Sequence, residues 1–551
     1  MKRHKLTAMI AAAVMGLTAL PAPIASAAED TASGTCGEAL TWVLDEGGTL
    51  TISGTGDMEE YGGWNRAPWY SQSHTIEKII VEPGVTSIGS YAFEWTTHLT
   101  EVTFPESVQA FGTGVFLYSS YLDVREETDP LIIVNHIVVD GSRCTGDVNI
   151  PDDVTAIAGG AFRTGRADHV HIGDGVTSIG EEGFDSSTVF TITGGAGVTE
   201  LGESVFAGCH YLTEVSIDGP VTEIPRFACN GDEKLVRVSM PHAQARTIGV
   251  SAFNGCTALA EYEIPETVEE IGECAFYACS ALRDVTLPAG LQTLGEEAFR
   301  KAGIRRAVLS DNITQIEPKA FTASYLEELV IGAGVTGIAR NALDDTFDLR
   351  SITVSPDNPT YASEGGLLYN KEKTELLLCP QGIQGTVRLA DTLTSIDSEL
   401  SGRAFSSVVI PESVETIGYS ACANCSQLEA VTILNPDCEI SGTGYTFSNR
   451  YDTWDNSYTF TGTIYGYTGS TAQAFAETYG DRFISLDALA QAGTADLNAD
   501  GSVSVLDAVM LQKYLVRQAV LIDPQLRLAD LSADQRVDVA DMTLLKQELL
   551  R

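Results

Sequence analysis

Oxygen-bearing side chains recur in the same order twice near the C-terminal end of the chain. The first copy runs from Asp496 to Asp507, and the second runs from Asp530 to Asp541, 34 residues later. In both copies these side chains occupy positions 1, 3, 5, 9 and 12 of a loop. That spacing wraps a short loop around one Ca²⁺. The sequence therefore predicts two bound Ca²⁺ ions, one in each loop.

The expected ligands change in kind along each loop. Direct side-chain ligands are expected from Asp496, Asn498, Asp500 and Asp507 in loop one, and from Asp530, Ser532, Asp534 and Asp541 in loop two. Backbone carbonyls are expected at position 7 from Ser502 and Arg536, and position 9 is held, directly or through water, by Ser504 and Asp538. Because the carboxylates of one loop repel each other without the ion, we expect calcium binding to be coupled to folding.

The two loops are not expected to bind Ca²⁺ equally. Position 6 needs a sharp turn that glycine makes easily, and loop one has Gly501 there, whereas loop two has Gln535. Ser532 is also a poorer ligand than Asn498 at position 3. We therefore expect loop two to bind more weakly, or to depend on loop one being filled.

A helix is predicted after each loop, and no clean amphipathic helix before it. Apolar positions match across the copies, as Leu511 does with Leu545 and Leu515 with Leu549. A duplicated calcium loop with only an exiting helix and Asp at position 12 resembles the type I dockerin module, over Asp496 to Arg551. The resemblance implies docking onto a cohesin module of a scaffoldin in a cellulosome, an extracellular complex that degrades plant polysaccharide. The alternative is an acidic tail without this fold. It is disfavoured because the acids alternate with apolar residues in the same register in both copies.

The resemblance also implies which residues face the cohesin, namely loop positions 10 and 11 and residues further along each helix. These are Val505, Leu506, Gln512, Lys513 and Arg517 in copy one, and Val539, Ala540, Lys546, Gln547 and Arg551 in copy two. Several dockerins carry Ser-Thr at positions 10 and 11, whereas this chain has the apolar pairs Val505-Leu506 and Val539-Ala540. We therefore expect a more apolar contact with the cohesin, and a partner from a different cohesin group. Because Leu506 is larger than Ala540, we expect one dominant orientation, through copy one.

The middle of the chain repeats with a period of 22 to 23 residues between about 76 and 435. Apolar anchors five residues apart recur, as in Ile157 and Phe162 or Ile271 and Phe276, and an L-x-x-V-x-I strand follows, as at 212–217. One unit cannot bury its own apolar residues, so the units must stack into a solenoid. The pattern resembles the BspA-like leucine-rich repeat of bacterial surface and secreted proteins, a family with many binding tasks and no common catalytic residue.

The predicted fold class is mainly β, a leucine-rich-repeat solenoid with N- and C-terminal caps followed by a small all-α dockerin with two calcium loop-helix motifs. The predicted regions are a signal peptide at 1–27, an N-terminal β cap at 28–75, the solenoid at 76–440 with inserts at 129–147 and 356–382, a C-terminal cap at 441–487 and the dockerin at 488–551. The first insert is predicted to be a hairpin or a buried strand, and the second insert is predicted to be a pair of strands. The segment 487–495 is predicted to be a linker.

The first residues of the chain and its net charge indicate where the protein is located and which partners it does not bind. The chain begins with basic residues, followed by an apolar stretch from Leu6 to Leu20 and the cleavage motif Ala25-Ser26-Ala27. This pattern predicts export by a signal peptide, and the apolar stretch is too short to span a membrane. The formal net charge is −42, so nucleic acid is repelled and is not an expected partner. We expect a secreted, extracellular protein without a membrane span, held at a cellulosome or cell surface through a scaffold.

The eleven cysteines are predicted to be mostly buried free thiols. Cys209, Cys256, Cys279 and Cys425 lie three residues after an anchor, in a slot that other repeats fill with Ala, Ser or Thr. Such a slot requires a small side chain and not a disulfide bridge. If any pair forms, Cys256 with Cys279 is the best candidate, because they lie on neighbouring rungs.

No catalytic site is predicted, since the chain has no H-E-x-x-H, G-x-S-x-G or glycine-rich phosphate motif. His169 and His171 share a strand face, but no third metal ligand stands at motif spacing. Four aromatic residues of the cap could stack on sugars: Tyr61, Trp64, Trp69 and Tyr70. The favoured interpretation is that they form part of the apolar core of the cap. A ladder of mixed charge indicates a polar recognition surface at Glu101, His169, Glu214, Arg237, Glu261, Asp284, Arg306 and Glu328.

The favoured function is therefore a secreted, non-catalytic binding protein that a dockerin delivers to a cohesin-bearing scaffold. The solenoid is expected to recognise a protein or a glycan, in association with polysaccharide catabolism. Two alternatives stay open at this point. One is a dockerin-bearing glycoside hydrolase or related polysaccharide-active enzyme, since sequence spacing does not single out or reject a pair of acids. The other is a surface adhesin.

Overall fold

The computed structural model describes residues 32–454 and 457–550. The predicted signal peptide at 1–27 lies outside the described residues, and so does Arg551. Within those two ranges no helix has the length and apolar character needed to cross a membrane. Most of the chain forms short strands, and all but one of the described α-helices lie after residue 470.

A small antiparallel sheet closes the N-terminal end of the core. Its third strand pairs in parallel with the first repeat strand, so cap and repeats share one sheet. Trp69 is 1% exposed beneath it, and its indole N–H donates to the carbonyl of Ala92 at 2.8 Å. The elements here are β1 (Ala32–Thr35), β2 (Leu40–Leu44), β3 (Thr49–Gly54), β4 (Gly56–Asp57), a 3-10 turn (Tyr70–Thr75), β5 (Lys78–Val81), β6 (Val85–Ile88), β7 (Glu101–Thr103), β8 (Ala110–Phe111) and α1 (Ser120–Glu126).

The aromatic group of the cap is mainly core. Tyr61 and Trp69 are buried, and the Trp69 ring stacks on that of Phe93 with centroids 6.1 Å apart. Tyr70 is half-buried, whereas Trp64 is fully exposed. Tyr61 and Trp69 therefore close the core, whereas Trp64 takes no part in it.

Each repeat forms one rung of the solenoid. A rung contributes a longer strand to one parallel ladder and a two-residue strand to a second, separate parallel ladder. Between the ladders the rings of Phe253, Phe276, Phe299 and Phe321 stack 5.3, 5.1 and 5.9 Å apart. All four are fully buried, which explains the aromatic anchor. The elements are β9 (Ile132–Val134), β10 (Ile137–Asp140), β11 (Thr145–Asn149), β12 (Ala156–Ile157), β13 (Arg166–Ile172), β14 (Ser178–Ile179), β15 (Thr191–Gly194), β16 (Glu200–Leu201), β17 (Glu214–Ile217), β18 (Arg237–Ser239), β19 (Thr247–Ile248), β20 (Glu261–Tyr262), β21 (Glu270–Ile271), β22 (Thr293–Leu294), β23 (Arg306–Val308), β24 (Gln315–Ile316), β25 (Glu328–Ile331), β26 (Gly337–Ile338) and β27 (Ser351–Val354).

The glycine after the Ile anchor allows neighbouring rungs to approach closely. A Cβ on Gly202 would lie 2.2 Å from the backbone nitrogen of Glu181 on the preceding rung. Real Cβ atoms do not approach backbone that closely, so glycine is required for this spacing. The repeated I-G pair thus sets the distance between rungs.

One predicted repeat strand does not form. The segment 282–287 has no strand assignment, and the long ladder is interrupted between β20 and β23. Leu282 and Leu287 are nevertheless buried. The rung therefore keeps its apolar side chains in the core while its backbone leaves the ladder, because burial of these anchors does not depend on ladder hydrogen bonds.

Both inserts add strands to the solenoid. In the first, β9 and β10 form a hairpin, and β10 pairs in parallel with β12. The second contains three antiparallel strands, one more than the sequence predicted: β28 (Tyr361–Glu364), β29 (Leu367–Asn370) and β30 (Leu376–Leu378). The added strand, Tyr361–Glu364, contains no apolar run, so its sequence gave no strand signal.

The C-terminal rungs end in a strand–helix–strand cap. Its helix begins after Ser470, whose hydroxyl accepts the N–H of Gln473 at 3.3 Å, one of the two N-caps predicted. Part of the predicted linker at 487–495 is helical. The elements are β31 (Thr386–Arg388), β32 (Ser395–Ile396), β33 (Ser407–Ile410), β34 (Thr416–Ile417), β35 (Ala430–Ile433), β36 (Glu439–Ile440), β37 (Arg450–Asp452), β38 (Ser457–Thr459), β39 (Thr463–Gly466), α2 (Thr471–Tyr479), β40 (Arg482–Ser485) and α3 (Leu486–Gln491).

The remaining residues, 495–550, form a small helical unit that we call the C-terminal module. Helices α4 (Val505–Leu515) and α6 (Val539–Leu549) leave the two loops, as predicted, and α5 (Asp523–Ala529) precedes loop two. The sequence did not predict α5, because its seven residues are too few for a clear apolar period. Leu497, Leu511 and Leu545 are fully buried at the centre of the module.

Candidate calcium loops and partner surface

Loop one is folded around two aspartates. The Asp496 carboxylate accepts the N–H groups of Asp500 and Gly501 at 3.2 and 3.0 Å. Asp507, fully buried, accepts the N–H of Leu497 at 2.9 Å and that of Ser504 at 2.8 Å. The loop backbone therefore wraps around the side chains of positions 1 and 12.

Loop two repeats these hydrogen bonds. Asp530 accepts the N–H groups of Asp534 and Gln535 at 3.2 and 2.9 Å. Asp541, also fully buried, accepts those of Ser532 and Asp538 at 2.9 and 2.8 Å. Both loops thus have the same backbone framework, with the residues predicted as ligands at equivalent places.

The two loops differ at position 6. The φ angle is +86° at Gly501 and +68° at Gln535. A left-handed backbone is free of steric cost for glycine and unfavourable for a residue with a Cβ. The strain predicted for loop two is therefore present in its backbone.

Two of the carboxyl groups are held in their charged form by hydrogen bonds. The Ser502 hydroxyl, which donates to Asp500 at 2.7 Å, lowers the pKa of that exposed carboxyl. At Asp541 burial acts to raise the pKa, but the amides of Asp538 and Ser532 outweigh it and the pKa is lowered. Hydrogen bonds to the ionised form explain both directions.

The donor set fits a hard cation such as Ca²⁺. Positions 1, 3, 5, 9 and 12 carry only carboxylate, amide and hydroxyl oxygens, the ligand types that Ca²⁺ prefers. Across 32–454 and 457–550, however, no three His, Cys, Asp or Glu side chains converge as a ready metal site. The carboxylates are instead hydrogen-bonded to the amides of their own loops.

Gln525 joins loop one to the last rungs of the solenoid. Its side chain is fully buried, and its amide N–H donates to the carbonyl of Leu497, at position 2 of loop one, at 2.8 Å. Its amide oxygen accepts the hydroxyl of Tyr465 and the N–H of Ile522, each at 3.1 Å. Gln525 carries no signal in the sequence, since it lies outside the loop pattern.

The C-terminal module packs against the end of the solenoid around this glutamine. Arg388 of β31 forms an ion pair with Asp523 of α5. Burial raises the pKa of Glu429, whose carboxylate accepts the N–H of Val520 and faces Lys513. An apolar cluster joins the two parts through Ala430, Tyr465, Ile484, Leu489 and Ile522.

The described residues predicted to face a cohesin are exposed on the surface of the module. Val505 and Leu506 are 69% and 62% exposed, and Val539 is 70% exposed. Leu506 and Lys513 also line a cleft of about 520 Å³ between α4 and the solenoid. The other described members are exposed: Gln512, Arg517, Ala540, Lys546 and Gln547.

The solenoid's candidate histidines bond to neighbouring strands. His169 Nδ1 lies 2.8 Å from the hydroxyl of Thr191, and His171 Nδ1 lies 3.3 Å from that of Thr193. These contacts are the cross-strand hydrogen bonds of β13 with β15. The charged ladder behaves similarly, because Arg237 lies between Glu214 and Glu261 at 3.9 and 3.6 Å.

All eleven cysteines are free thiols, and Cys256 is not bonded to Cys279. The thiols of the small-residue slot donate instead to backbone carbonyls, as Cys256 does to Cys229 at 3.0 Å and Cys279 to Phe253 at 3.1 Å. A small side chain with a weak donor therefore suits this slot.

One rung places an acid in that slot. Asp232 is fully buried and accepts the N–H of Cys209 at 2.7 Å, while its second oxygen has no hydrogen-bond partner. Burial raises its pKa well above the usual range. This residue could not be recognised from the sequence, because Cys229 replaces the Phe anchor and hides the repeat.

The parallel ladders, stacked anchors and terminal caps define a leucine-rich-repeat solenoid. The family model described as a BspA type leucine rich repeat region matches residues 68–127, 141–260, 246–364 and 385–453. These matches cover more than half of the sequence, and the chain belongs to this family. The model described as dockerin type I domain matches residues 494–550, so the C-terminal module is a dockerin.

Solved structures of bacterial leucine-rich-repeat proteins are similar to this chain. One from Eubacterium ventriosum is 20% identical, with 77% of this chain and 97% of that chain covered and a TM-score of 0.28. One from Bacteroides ovatus is 16% identical, with 82% and 98% covered and a TM-score of 0.38. A leucine-rich cell surface protein from Faecalibacterium prausnitzii is 18% identical, with 83% and 96% covered and a TM-score of 0.34. No curated protein matches the chain.

Proposed function

We propose that this protein is secreted, binds without catalysing a reaction, and docks onto a cohesin-bearing scaffold of a cellulosome-type assembly through its dockerin. The observation that carries the proposal is the dockerin match over 494–550, in which both loops hold oxygen ligands at the required positions. The leucine-rich-repeat family points to interaction as the solenoid's role. Its ligand is then a protein or a glycan, and the assembly's purpose is polysaccharide catabolism.

Calcium is part of this proposal. Two Ca²⁺ ions would supply the positive charge that holds the carboxylates of each loop together. In loop one the ligands would be Asp496, Asn498, Asp500, Ser502, Ser504 and Asp507, and in loop two Asp530, Ser532, Asp534, Arg536, Asp538 and Asp541. Asp507 and Asp541 orient their loops through the amide hydrogen bonds described above, which holds position 12 close to positions 1 and 3.

The predicted regions complete the proposal. Export would remove residues 1–27, and the dockerin at 488–551 would follow the solenoid and its cap without a long flexible linker. The packing of Ile522 and Gln525 against Tyr465 supports a close attachment. The ligand-binding part of the molecule would then be held near the scaffold.

Binding of the full secreted chain to an array of bacterial cohesin modules tests this function. We expect at least one cohesin to bind in the presence of Ca²⁺ and to be released by a chelator. A chain lacking both position-12 carboxylates, with Asp507→Ala and Asp541→Ala, should not bind. Absence of binding to every cohesin would contradict the proposal.

A screen on plant polysaccharides addresses the enzymatic alternative. A binding protein should release no reducing sugar from any of them. Release that persists through purification and is lost on substitution of one solenoid acid would replace the proposed function with a catalytic one.

A further inference from the structure

The dockerin carries two similar candidate surfaces, and the solenoid forms a cleft with the first of them. The first consists of Val505, Leu506 and Lys513 at the start and along one side of α4. The second consists of Val539 and Ala540 with the exposed residues of α6. Their sequence similarity gives no reason for a partner to be able to approach one more easily than the other.

The first surface forms one wall of a cleft of about 520 Å³. Leu506 and Lys513 line this cleft, and the opposite wall includes Glu429 and Arg482 of the solenoid. The two walls are in contact at one end, where the Arg482 guanidinium lies 3.8 Å from the Met510 sulfur. A partner reaching Leu506 and Lys513 together must therefore enter a gap bounded by the solenoid.

Within residues 32–454 and 457–550, no hydrogen bond or ion pair joins the second surface to the solenoid. Val539 is 70% exposed, and Ala540, Lys546 and Gln547 are exposed as well. Between residues 457 and 550, every hydrogen bond found for α6 stays within the dockerin. The buried side of α6, with Leu545, packs in the dockerin's own core.

The arrangement is held by several different contacts. Ile522 is buried against the solenoid's last strands, Gln525 bonds to Tyr465, and Asp523 pairs with Arg388. Buried apolar contacts and a satisfied buried amide are the kinds of interaction that fix two units relative to each other. The dockerin is thus not free to turn its first surface outward without breaking this interface.

We propose that the solenoid directs the cohesin to the second copy of the dockerin by restricting approach to the first. A specific protein interface covers about 800 Å² on each partner, so it extends beyond Leu506 and Lys513, and on the side of the cleft this area is bounded by the solenoid wall. This inference rests on the proposed function for the identity of the partner. It reverses the orientation that the larger Leu506 side chain favours from sequence alone.

Matched double variants of the full chain test the inference against a cohesin that binds the unmodified protein. One variant carries Val505→Asp and Leu506→Asp, and the other carries Val539→Asp and Ala540→Asp, the same loop positions in the two copies. All four residues are exposed, so both variants should keep their helicity. We expect the second-copy variant to bind at least about 30-fold more weakly and the first-copy variant to change less than about 5-fold.

A variant that opens the interface supplies the control. Ala430 is 1% exposed and packs against the dockerin, so Ala430→Arg should separate the two units. Added to the second-copy variant, it should restore part of the lost affinity, because the first surface becomes accessible. No restoration would overturn the role given to the solenoid.

The other outcomes are also decisive. A first-copy variant that is equally or more impaired overturns the inference but leaves the proposed function intact. Two variants that both bind normally overturn it as well, since the contact then lies elsewhere. If no cohesin binds the unmodified chain, the proposed function fails and the inference falls with it.

Discussion

The solenoid and the dockerin both bury carboxylates completely, with opposite results. Asp232 in the solenoid accepts one amide N–H and has a raised pKa, whereas Asp541 in the dockerin accepts several and has a lowered one. Burial disfavours a charged carboxylate in both places. Deeper burial at Asp232 and more N–H donors at Asp541 together decide which acid stays charged, and only a charged carboxylate can serve as a calcium ligand.

The two calcium loops form a second comparison within the dockerin. Most of their backbone hydrogen bonds are equivalent, but loop one is joined through Gln525 to Tyr465 of the solenoid and has glycine at position 6. Among the described residues, the side-chain hydrogen bonds of loop two stay within the loop, and position 6 is the strained Gln535. Equivalent sequence motifs thus acquire different stability from what packs against them.

The largest effect is expected from the position-12 carboxylate of loop one. Asp507→Ala removes the acceptor for the N–H groups of Leu497, Asn498 and Ser504. An unsatisfied buried donor such as the Leu497 N–H costs about 1–3 kcal/mol, and the two part-buried donors add less, so the dockerin should lose more than about 1–3 kcal/mol of stability. Urea unfolding of the full chain, followed by helical circular dichroism, would measure this loss. Asp507→Asn, which keeps an acceptor oxygen, should lose less; equal losses would show that the hydrogen bonds are not what matters.

A smaller effect, dependent on pH, is expected at Asp232. Its folded pKa is raised above the unfolded value of about 3.9, so its favourable contribution is fully present below that value and is lost as pH rises through the folded pKa. Asp232→Asn keeps an acceptor for the Cys209 N–H and removes the titration. Relative to the variant, the wild-type solenoid should lose up to about 1.4 kcal/mol per pH unit in that window.

Thermal unfolding at a series of pH values would measure this difference. Asp541 supplies the opposite case, because its lowered pKa makes a contribution that is present above about pH 3.9 and is lost as pH falls through the folded pKa. If the stability of Asp232→Asn follows the same pH curve as that of the wild type, Asp232 is not a neutral buried acid.

The next effect concerns the connection between loop one and the solenoid. Gln525→Ala leaves the Leu497 carbonyl and the Ile522 N–H without their partner. We expect about 10-fold weaker Ca²⁺ binding at loop one and no change at loop two, because unpaired buried groups cost about 1–3 kcal/mol. Calcium titration would measure both sites. Tyr465→Phe, which removes only the solenoid's hydroxyl, should weaken loop one less, and an equal weakening of both loops by Gln525→Ala would contradict the asymmetry.

The smallest effect is expected from relieving the strain in loop two. Gln535→Gly should stabilise the calcium-free dockerin by about 1 kcal/mol and strengthen Ca²⁺ binding at loop two, because the φ of +68° is unfavourable only for a residue with a Cβ. Gly501→Ala, at the same position of loop one, should have the opposite sign. A destabilising Gln535→Gly would show that the glutamine side chain makes a compensating contact.

Much of the fold could be predicted from the sequence, because repeat period and loop spacing are local properties. The stacked anchors from Phe253 to Phe321, the N-cap at Ser470 and the left-handed turn at Gln535 follow from residue type and position. Helix α5, the third strand of the second insert and the role of Gln525 could not be predicted. They depend on contacts between segments far apart in sequence, such as the 60 residues between Tyr465 and Gln525.

Isothermal titration of the full chain with Ca²⁺ tests most directly whether the dockerin holds two unequal calcium sites. We predict two bound ions, with the tighter site lost in Asp507→Ala and kept in Asp541→Ala. The loop supported by Gln525 should thus be the stronger one. Two sites of equal affinity, or a tighter site that survives Asp507→Ala, would contradict this result.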